Sequence, residues 1–445
     1  MSSSDPPILE DPLRRTASAL TSAARRHRAV TAAGPPLSVD DATSGPDWLE
    51  LHLARARRAS EGGSYTNILV AGARRDAARV SAEATLAGWT FAVKDLIAVR
   101  GLPVGGGSAV RADAPPEGVD APAVAALRAA GAVCVGTVTL HELAFGVTGR
   151  NDYAGTPINP HDPAAMIGGS SSGSAAAVAE RSARVALGTD TGGSIRIPAA
   201  LCGVVGFKPA NDGRPPAGAF PLSPTLDRIG YAARSVTDAA LAYAPLRPPP
   251  PAHDRPPVLG VLTDELARAT TEVANAVETA LGQLERDGCT LVEVEPPDPA
   301  LVFSTSTAIM FAEAAAVHAG DVEECPERYG PDVLDRLRTG RKIPAPEYTA
   351  ALERRDALRR RVADLFTGID CLAGPTLAFA APRREDAGDP GIAARLVANT
   401  RLANLVGTAA ITLPLGAPGV ALQIAAPTDE AALAAASWIE ARLAS

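Results

Sequence analysis

Aromatic side chains are scarce in this chain: Phe, Tyr and Trp make up 4% of 445 residues, although 46% are hydrophobic. Alanine carries much of that apolar content, and such a core packs small side chains closely, as layers of helix on sheet do. Histidine is sparse too, at 6, and no H-E-x-x-H occurs, so a zinc-dependent hydrolase is disfavoured. The 5 cysteines (Cys134, Cys202, Cys289, Cys325 and Cys371) are scattered, odd in number and free of any C-x-x-C pair. Buried reduced thiols are expected rather than disulfides or a metal site, and no cofactor is expected. Basic blocks are missing: Lys+Arg 42 stand against Asp+Glu 50, and the arginine-rich stretch 354–361 is interleaved with Ala, Asp and Leu like a solvated helix face. That excludes a nucleic-acid footprint. No segment approaches the roughly 18 apolar residues of a membrane span. The opening MSSSDPPILEDPLRR has acids and prolines where a secretory signal has a basic start and an apolar run. A cytoplasmic protein with no membrane partner is expected.

Glycine (40) and proline (39) are abundant, which implies many turns. Residues 1–12 read as disordered and 12–30 as a basic surface helix. Helices are expected over 48–59, 71–84, 121–130 and 265–287. Strands are expected over 65–70, 132–138, 258–262 and 290–294, with a β-rich stretch at 89–99. This alternation predicts a layered α/β fold. The proline run 248–251 can be neither helix nor central strand, and is expected to be a rigid loop within one domain.

The densest information lies in 168–198, GGSSSGSAAAVAERSARVALGTDTGGSIRIP, where two glycine–serine clusters flank an Ala-rich helix and a short strand. Glycine-dense turns let backbone N–H groups converge, and a serine there can sit beside donors for a developing oxyanion. A phosphate-binding loop is the rival reading, but neither cluster is followed by the lysine of a Walker motif. Within the first cluster, Gly169 to Gly173 also satisfies G-x-S-x-G, which would make Ser171 a nucleophile needing a downstream histidine. His253 lies in the proline-rich loop and His318 in an Ala-rich helix, neither the setting of a triad base. His141 and His161 read as hydrogen-bonded structural residues. A serine without histidine needs another base, and lysine serves when desolvation lowers its pKa. Lys94, in the apolar FAVKDLIAV, is the candidate; the competing reading is a salt bridge to Asp95.

Together these segments resemble the amidase signature family over roughly residues 85–445. GGSSSGSAAAVA resembles its first cluster, GTDTGGSIRIPAALCGVVGFKP its second, and FAVKD its lysine strand. LHELAFGVTGRNDYAGTPINPHD, IDCLAGPTLAFAAP, NLVGTAAITLPLG and GVALQIAAPTDEAAL resemble flanking blocks. Ala84-Thr85-Leu86 and FKPANDGRPP depart from the family pattern. The resemblance implies a single-domain α/β/α sandwich around a large twisted mixed β-sheet, with a tail and helices in 1–60 packed on a catalytic domain at 61–445. It implies Ser194 as nucleophile, Ser170 as a bridging serine on a cis peptide bond and Lys94 as base. The N–H groups of Thr191, Gly192, Gly193 and Ser194 would form the oxyanion hole, with Ser171, Asp190 and Arg196 in support. Phe145, Gly146, Met166, Gly168, Gly169 and the segment 221–226 are expected near the substrate. The implied activity is hydrolysis of amide-like C–N bonds in a small-molecule amide or carbamate, with aryl amides and urethanes favoured, by a monomer or homodimer. A urea-derivative hydrolase and the amidase subunit of a transamidation complex are the alternatives.

Overall fold

The computed structural model describes residues 47–247 and 255–443. The expected tail 1–12, the helix 12–30, the proline run 248–251 and His253 lie outside the described residues. Eleven strands form one sheet: β1 (Tyr65–Ile68), β2 (Thr90–Lys94), β3 (Val133–Val138), β4 (Val185–Asp190), β5 (Val205–Lys208), β6 (Arg228–Ala233), β7 (Val258–Leu262), β8 (Thr290–Val294), β9 (Cys371–Pro375), β10 (Ala409–Pro414) and β11 (Ala421–Ala426). Their spatial order is β1-β3-β2-β4-β6-β5-β10-β11-β9-β7-β8. The sheet is mixed. β3, β2 and β4 run parallel, as do β9, β7 and β8, and antiparallel pairs from β4 to β9 join the two groups.

Alternation along the strands decides the layering. In β2, Phe91 and Val93 join one apolar cluster while Ala92 joins another; in β4, Val185 and Leu187 part from Ala186 in the same way. A strand whose successive side chains enter two cores is covered on both faces. Helices Pro122–Ala129, Val236–Tyr243, Thr271–Arg286 and Asp429–Leu443 fill the first cluster; Trp48–Glu61, Ser172–Ala179 and Arg196–Leu201 fill the second. The result is the expected α/β/α sandwich. Helix Trp48–Glu61 belongs to that packing through Leu49, Leu53 and Ala56.

Several boundaries differ from the sequence expectation. The β-rich stretch 89–99 is strand only to Lys94, because the Leu96 and Ile97 amides fold back onto the Lys94 carbonyl at 2.6 and 3.0 Å. That turn leaves Lys94 at the strand's last position. The helix expected over 71–84 is Val70–Ala77; past it, Ser81 Oγ takes the Glu83 amide at 3.3 Å, a local bond that competes with helix. The helix expected over 265–287 is two, Thr263–Ala267 and Thr271–Arg286, because the Thr270 amide donates to Ala378 O at 2.7 Å across the fold. The absence of a membrane-length segment also needs correcting. Helix Pro299–Val317, with 19 residues and mean hydropathy 1.6, is long and apolar enough by length and composition. It is half buried, and it packs on helices Pro331–Gly340 and Ala345–Leu365. The five cysteines are free; all but Cys325 are buried.

The close approach of β1 to β3 depends on Gly136, where a Cβ would collide with the carbonyl oxygen of Asn67. Gly136→Ala is expected to cost about 1–3 kcal/mol by overpacking. A lowered urea midpoint at unchanged m-value checks this.

Candidate active site

Three elements end at one place. β2 delivers Lys94, its parallel neighbour β4 delivers Thr189 and Asp190, and the turn before helix Ser172–Ala179 delivers Ser170 and Ser171. Ligand sites in α/β sheets form at the carboxyl ends of parallel strands, and this one follows that rule. Lys94 is fully buried. Its Nζ lies 2.7 Å from Ser170 Oγ, 3.1 Å from Ser171 Oγ and 2.7 Å from Thr189 Oγ1. No carboxylate is within ion-pair distance of it among the described residues, and Asp95 instead accepts the Gly105 amide at 3.2 Å. The salt-bridge reading of Lys94 is thereby set aside. Burial pushes the amine down to about 7, against the weaker upward pull of Asp227 and Asp190. A buried ammonium without a counter-ion is costly, so the neutral form is favoured.

Ser171 is fully committed. Its hydroxyl donates to Thr189 O at 3.0 Å and accepts the Thr189 amide at 3.2 Å as well as Lys94. A hydroxyl so engaged is a scaffold for the lysine, which removes the support for Ser171 as a nucleophile on an elbow. The Gly169–Ser170 peptide bond is cis. The two glycine–serine clusters are tied together where the Ser171 amide donates to Ser194 O at 3.0 Å. Ser194 itself is buried, with 4% of its surface exposed.

The loop 191–194 is held from beneath. Asp190 accepts the amides of Gly193 at 2.7 Å and Ile195 at 3.1 Å, and the Arg196 guanidinium grips the same carboxylate through Nε and Nη2, each at 3.1 Å. Burial alone would raise Asp190; the charge and hydrogen bonds of Arg196 overcome it and hold the carboxyl well below its usual range. Arg196, wholly buried, is in turn satisfied by Gln423 Oε1 at 2.6 Å and Asn404 Oδ1 at 2.5 Å. Thr191 Oγ1 donates to Asp227 at 2.6 Å, and Thr400 Oγ1 donates to Gly192 O at 2.7 Å. One expectation changes here. The Gly193 N–H, expected in an oxyanion hole, is spent on Asp190. The amides of Thr191, Gly192 and Ser194 donate to no described residue.

The expected substrate-side residues divide. Phe145 is buried edge-on against Phe311 at 5.0 Å. Gly146 lies flat on the His141 ring, leaving no room for a side chain. Gly168 and Gly169 allow close approach: Cβ atoms there would come within 2.6 Å of Leu201 Cδ1 and 2.7 Å of the Gly149 nitrogen. Met166 is buried in an apolar cluster with Ile197, Leu201 and Leu377. Within 221–226, the Leu222 and Ser223 amides hold Asp227, the carboxylate that takes Thr191. His141 faces Asp332 at 3.3 Å and His161 bonds Cys202 O at 2.8 Å; both are structural, as the sequence suggested. Among the described residues, no group of three or more His, Cys, Asp or Glu side chains is placed to hold a metal ion.

Sequence reasoning missed three residues. Thr189 is the third partner of Lys94, and its place two residues before Thr191 on a strand was the available signal. Met310 and Arg401 flank the loop: a Cβ on Gly192 would lie 3.2 Å from Met310 Cε and 3.6 Å from Arg401 Cγ. Nothing local in the sequence marks these two, since both come from distant helices.

A family model described as Amidase matches residues 47–433. An indoleacetamide hydrolase of Pseudomonas savastanoi is 34% identical over 353 residues, covering 75% of this chain and 77% of that protein. A 1-carboxybiuret hydrolase subunit of a Pseudomonas strain is 34% identical over 312 residues, covering 67% of this chain and 68% of that protein. A solved amidase crystal structure superposes with a TM-score of 0.82 at 34% identity, covering 89% of this chain and 95% of that one.

Replacing Arg196 with Met leaves Asp190 buried without its counter-ion. The expected cost is about 3–5 kcal/mol, measured by guanidinium unfolding.

Proposed function

This chain belongs to the amidase family and is a hydrolase of C–N bonds, and from that premise we propose that it works through a serine acyl-enzyme made by Ser194, Ser170 and Lys94. The observation that carries the reading is the buried amine of Lys94, held near 7 by burial, 2.7 Å from the Ser170 hydroxyl. As a neutral amine it donates its two N–H bonds to Ser171 and Thr189. Its lone pair then receives the Ser170 O–H. Ser170 takes the proton of Ser194 as Ser194 Oγ attacks the substrate carbonyl, so each hydroxyl passes on one proton and Lys94 gains one net. The oxyanion takes the amides of Thr191, Gly192 and Ser194, which Asp190 and Arg196 keep in place. Lys94 returns the proton through Ser170 to the departing nitrogen, and water then cleaves the acyl-enzyme by the reverse relay. Amides, anilides and carbamates fit this chemistry. The similarity to an indoleacetamide hydrolase supports an amide, and that to a 1-carboxybiuret hydrolase subunit supports a urea-type bond as the alternative. The acting unit is a monomer or homodimer located in the cytoplasm.

A fluorophosphonate probe is expected to add covalently to Ser194, read by peptide mass, and not to label Ser194→Ala; an adduct on Ser171 would reject the assignment. Lys94→Ala is expected to lower kcat by about 10²–10⁴-fold on a panel of a primary amide, an anilide, a urea and an aryl carbamate.

The base works unprotonated. Activity should therefore be lost as pH falls and Lys94 gains a proton, with kcat/KM rising to a plateau above about 7. A pH–rate profile without a rise in that region removes Lys94 as the base.

A further inference from the structure

Arg401 stands beside the 191–194 loop without a counter-ion among the described residues. Its side chain runs along Gly192, with Cγ 3.6 Å from where a Cβ would be. The guanidinium stacks on the Phe303 ring, 4.3 Å from its centroid. Nη1 donates to Phe303 O at 3.3 Å, Ser306 Oγ at 3.1 Å and Thr307 Oγ1 at 2.5 Å. All three acceptors are neutral. Among the described residues Nε has no partner, and every hydrogen bond of this guanidinium leaves from Nη1, so Nη2 is open. Burial, with no carboxylate to oppose it, pushes this guanidinium below its usual value. The contrast with Arg196 is direct, since Arg196 is deeper yet fully matched to Asp190. A positive charge partly shielded from water and left unmatched by any described carboxylate, beside the 191–194 loop, is poised for an anion supplied by the ligand.

We propose that Arg401 is a specificity-determining residue that binds a carboxylate of the substrate through its open Nη2 edge. The preferred substrates are then amides bearing an anionic group, such as half-amides of short dicarboxylic acids. This rests on Ser194 being the site of turnover, as proposed above. Phe303 holds the guanidinium plane, and Ser306 and Thr307 fix one end, so the other end is presented without added conformational cost.

The test pairs amides that differ by one charge: succinamate against butyramide, and glutaramate against pentanamide. The anionic member of at least one pair should show a kcat/KM at least about 10-fold higher, the scale of a charge-assisted hydrogen bond, with the ratio falling at high salt. Arg401→Gln should shrink that ratio by about 10-fold or more, chiefly through KM, and Arg401→Lys should restore part of it. Equal loss on both members of each pair, or a wild-type preference for the neutral members, overturns the proposal. Calorimetric binding of succinate and glutarate to Ser194→Ala, weakened in the Ser194→Ala, Arg401→Gln double variant, reads the same site without turnover. Anion binding that depends on Arg401 in a protein that hydrolyses no amide would sink the hydrolase reading and keep this one. Hydrolysis of neutral amides with no anion binding would do the reverse.

Discussion

Everything at this site depends on one amine being kept out of water without an acid to pair with it. Lys94 occupies the last position of a strand whose five residues are all buried, and three hydroxyls stand where a carboxylate would ordinarily be. Hydroxyls satisfy the amine's hydrogen bonds without repaying the desolvation of a charge. The result is a lysine whose proton is loosely held near neutrality, which a surface lysine or an ion-paired one is not. The turn straight after Lys94 belongs to the same device, because it ends β2 where the amine meets the serine cluster.

A few residues along the same parallel strand pair, the fold treats charge in the opposite way. Asp190 and Arg196 are both fully buried, but each is matched by the other, Asp190 also by the amides of Gly193 and Ile195, and Arg196 also by amide side chains from the far end of the chain, Gln423 and Asn404. A matched pair resists titration and movement; an unmatched amine is ready to exchange a proton. The first stiffens the loop, and the second suits the base role proposed for it. Arg401 makes a third case, in which stacking and hydroxyls hold a cation that no acid neutralises. Placed beside Gly192, it is proposed to turn that open edge toward an anionic group of the ligand.

The mixed sheet makes these juxtapositions possible. Parallel β2 and β4 bring two strand ends side by side, and the antiparallel run through β6, β5, β10 and β11 carries residues near 400 and 423 back to the same region. Small residues let the layers close: Ala and Gly dominate the helix Ser172–Ala179, and Gly173 is pressed between Ser64 and Thr139, where a Cβ would come within 2.6 Å of their backbone atoms. The scarcity of aromatics in the chain is the compositional face of this close packing.

Much of this was legible in residue order. The alternation of helix and strand specifies a layered α/β fold, and the two glycine–serine clusters with the apolar strand around Lys94 mark a serine site and a candidate lysine base, because those signals are local and follow from backbone freedom and burial pattern. The particular roles of Ser170 and Ser194 follow from the family resemblance. The sequence could not say that the Gly193 amide serves Asp190 rather than an oxyanion, that Ser171 has its proton spoken for, or that Met166 is core. Nor could it say that Thr189, Met310 and Arg401 attend the site. Each of these is a question of which partner a polar or apolar group meets across more than a hundred residues of chain or across a turn of a few ångströms, and only the folded arrangement of strand ends and helices decides it.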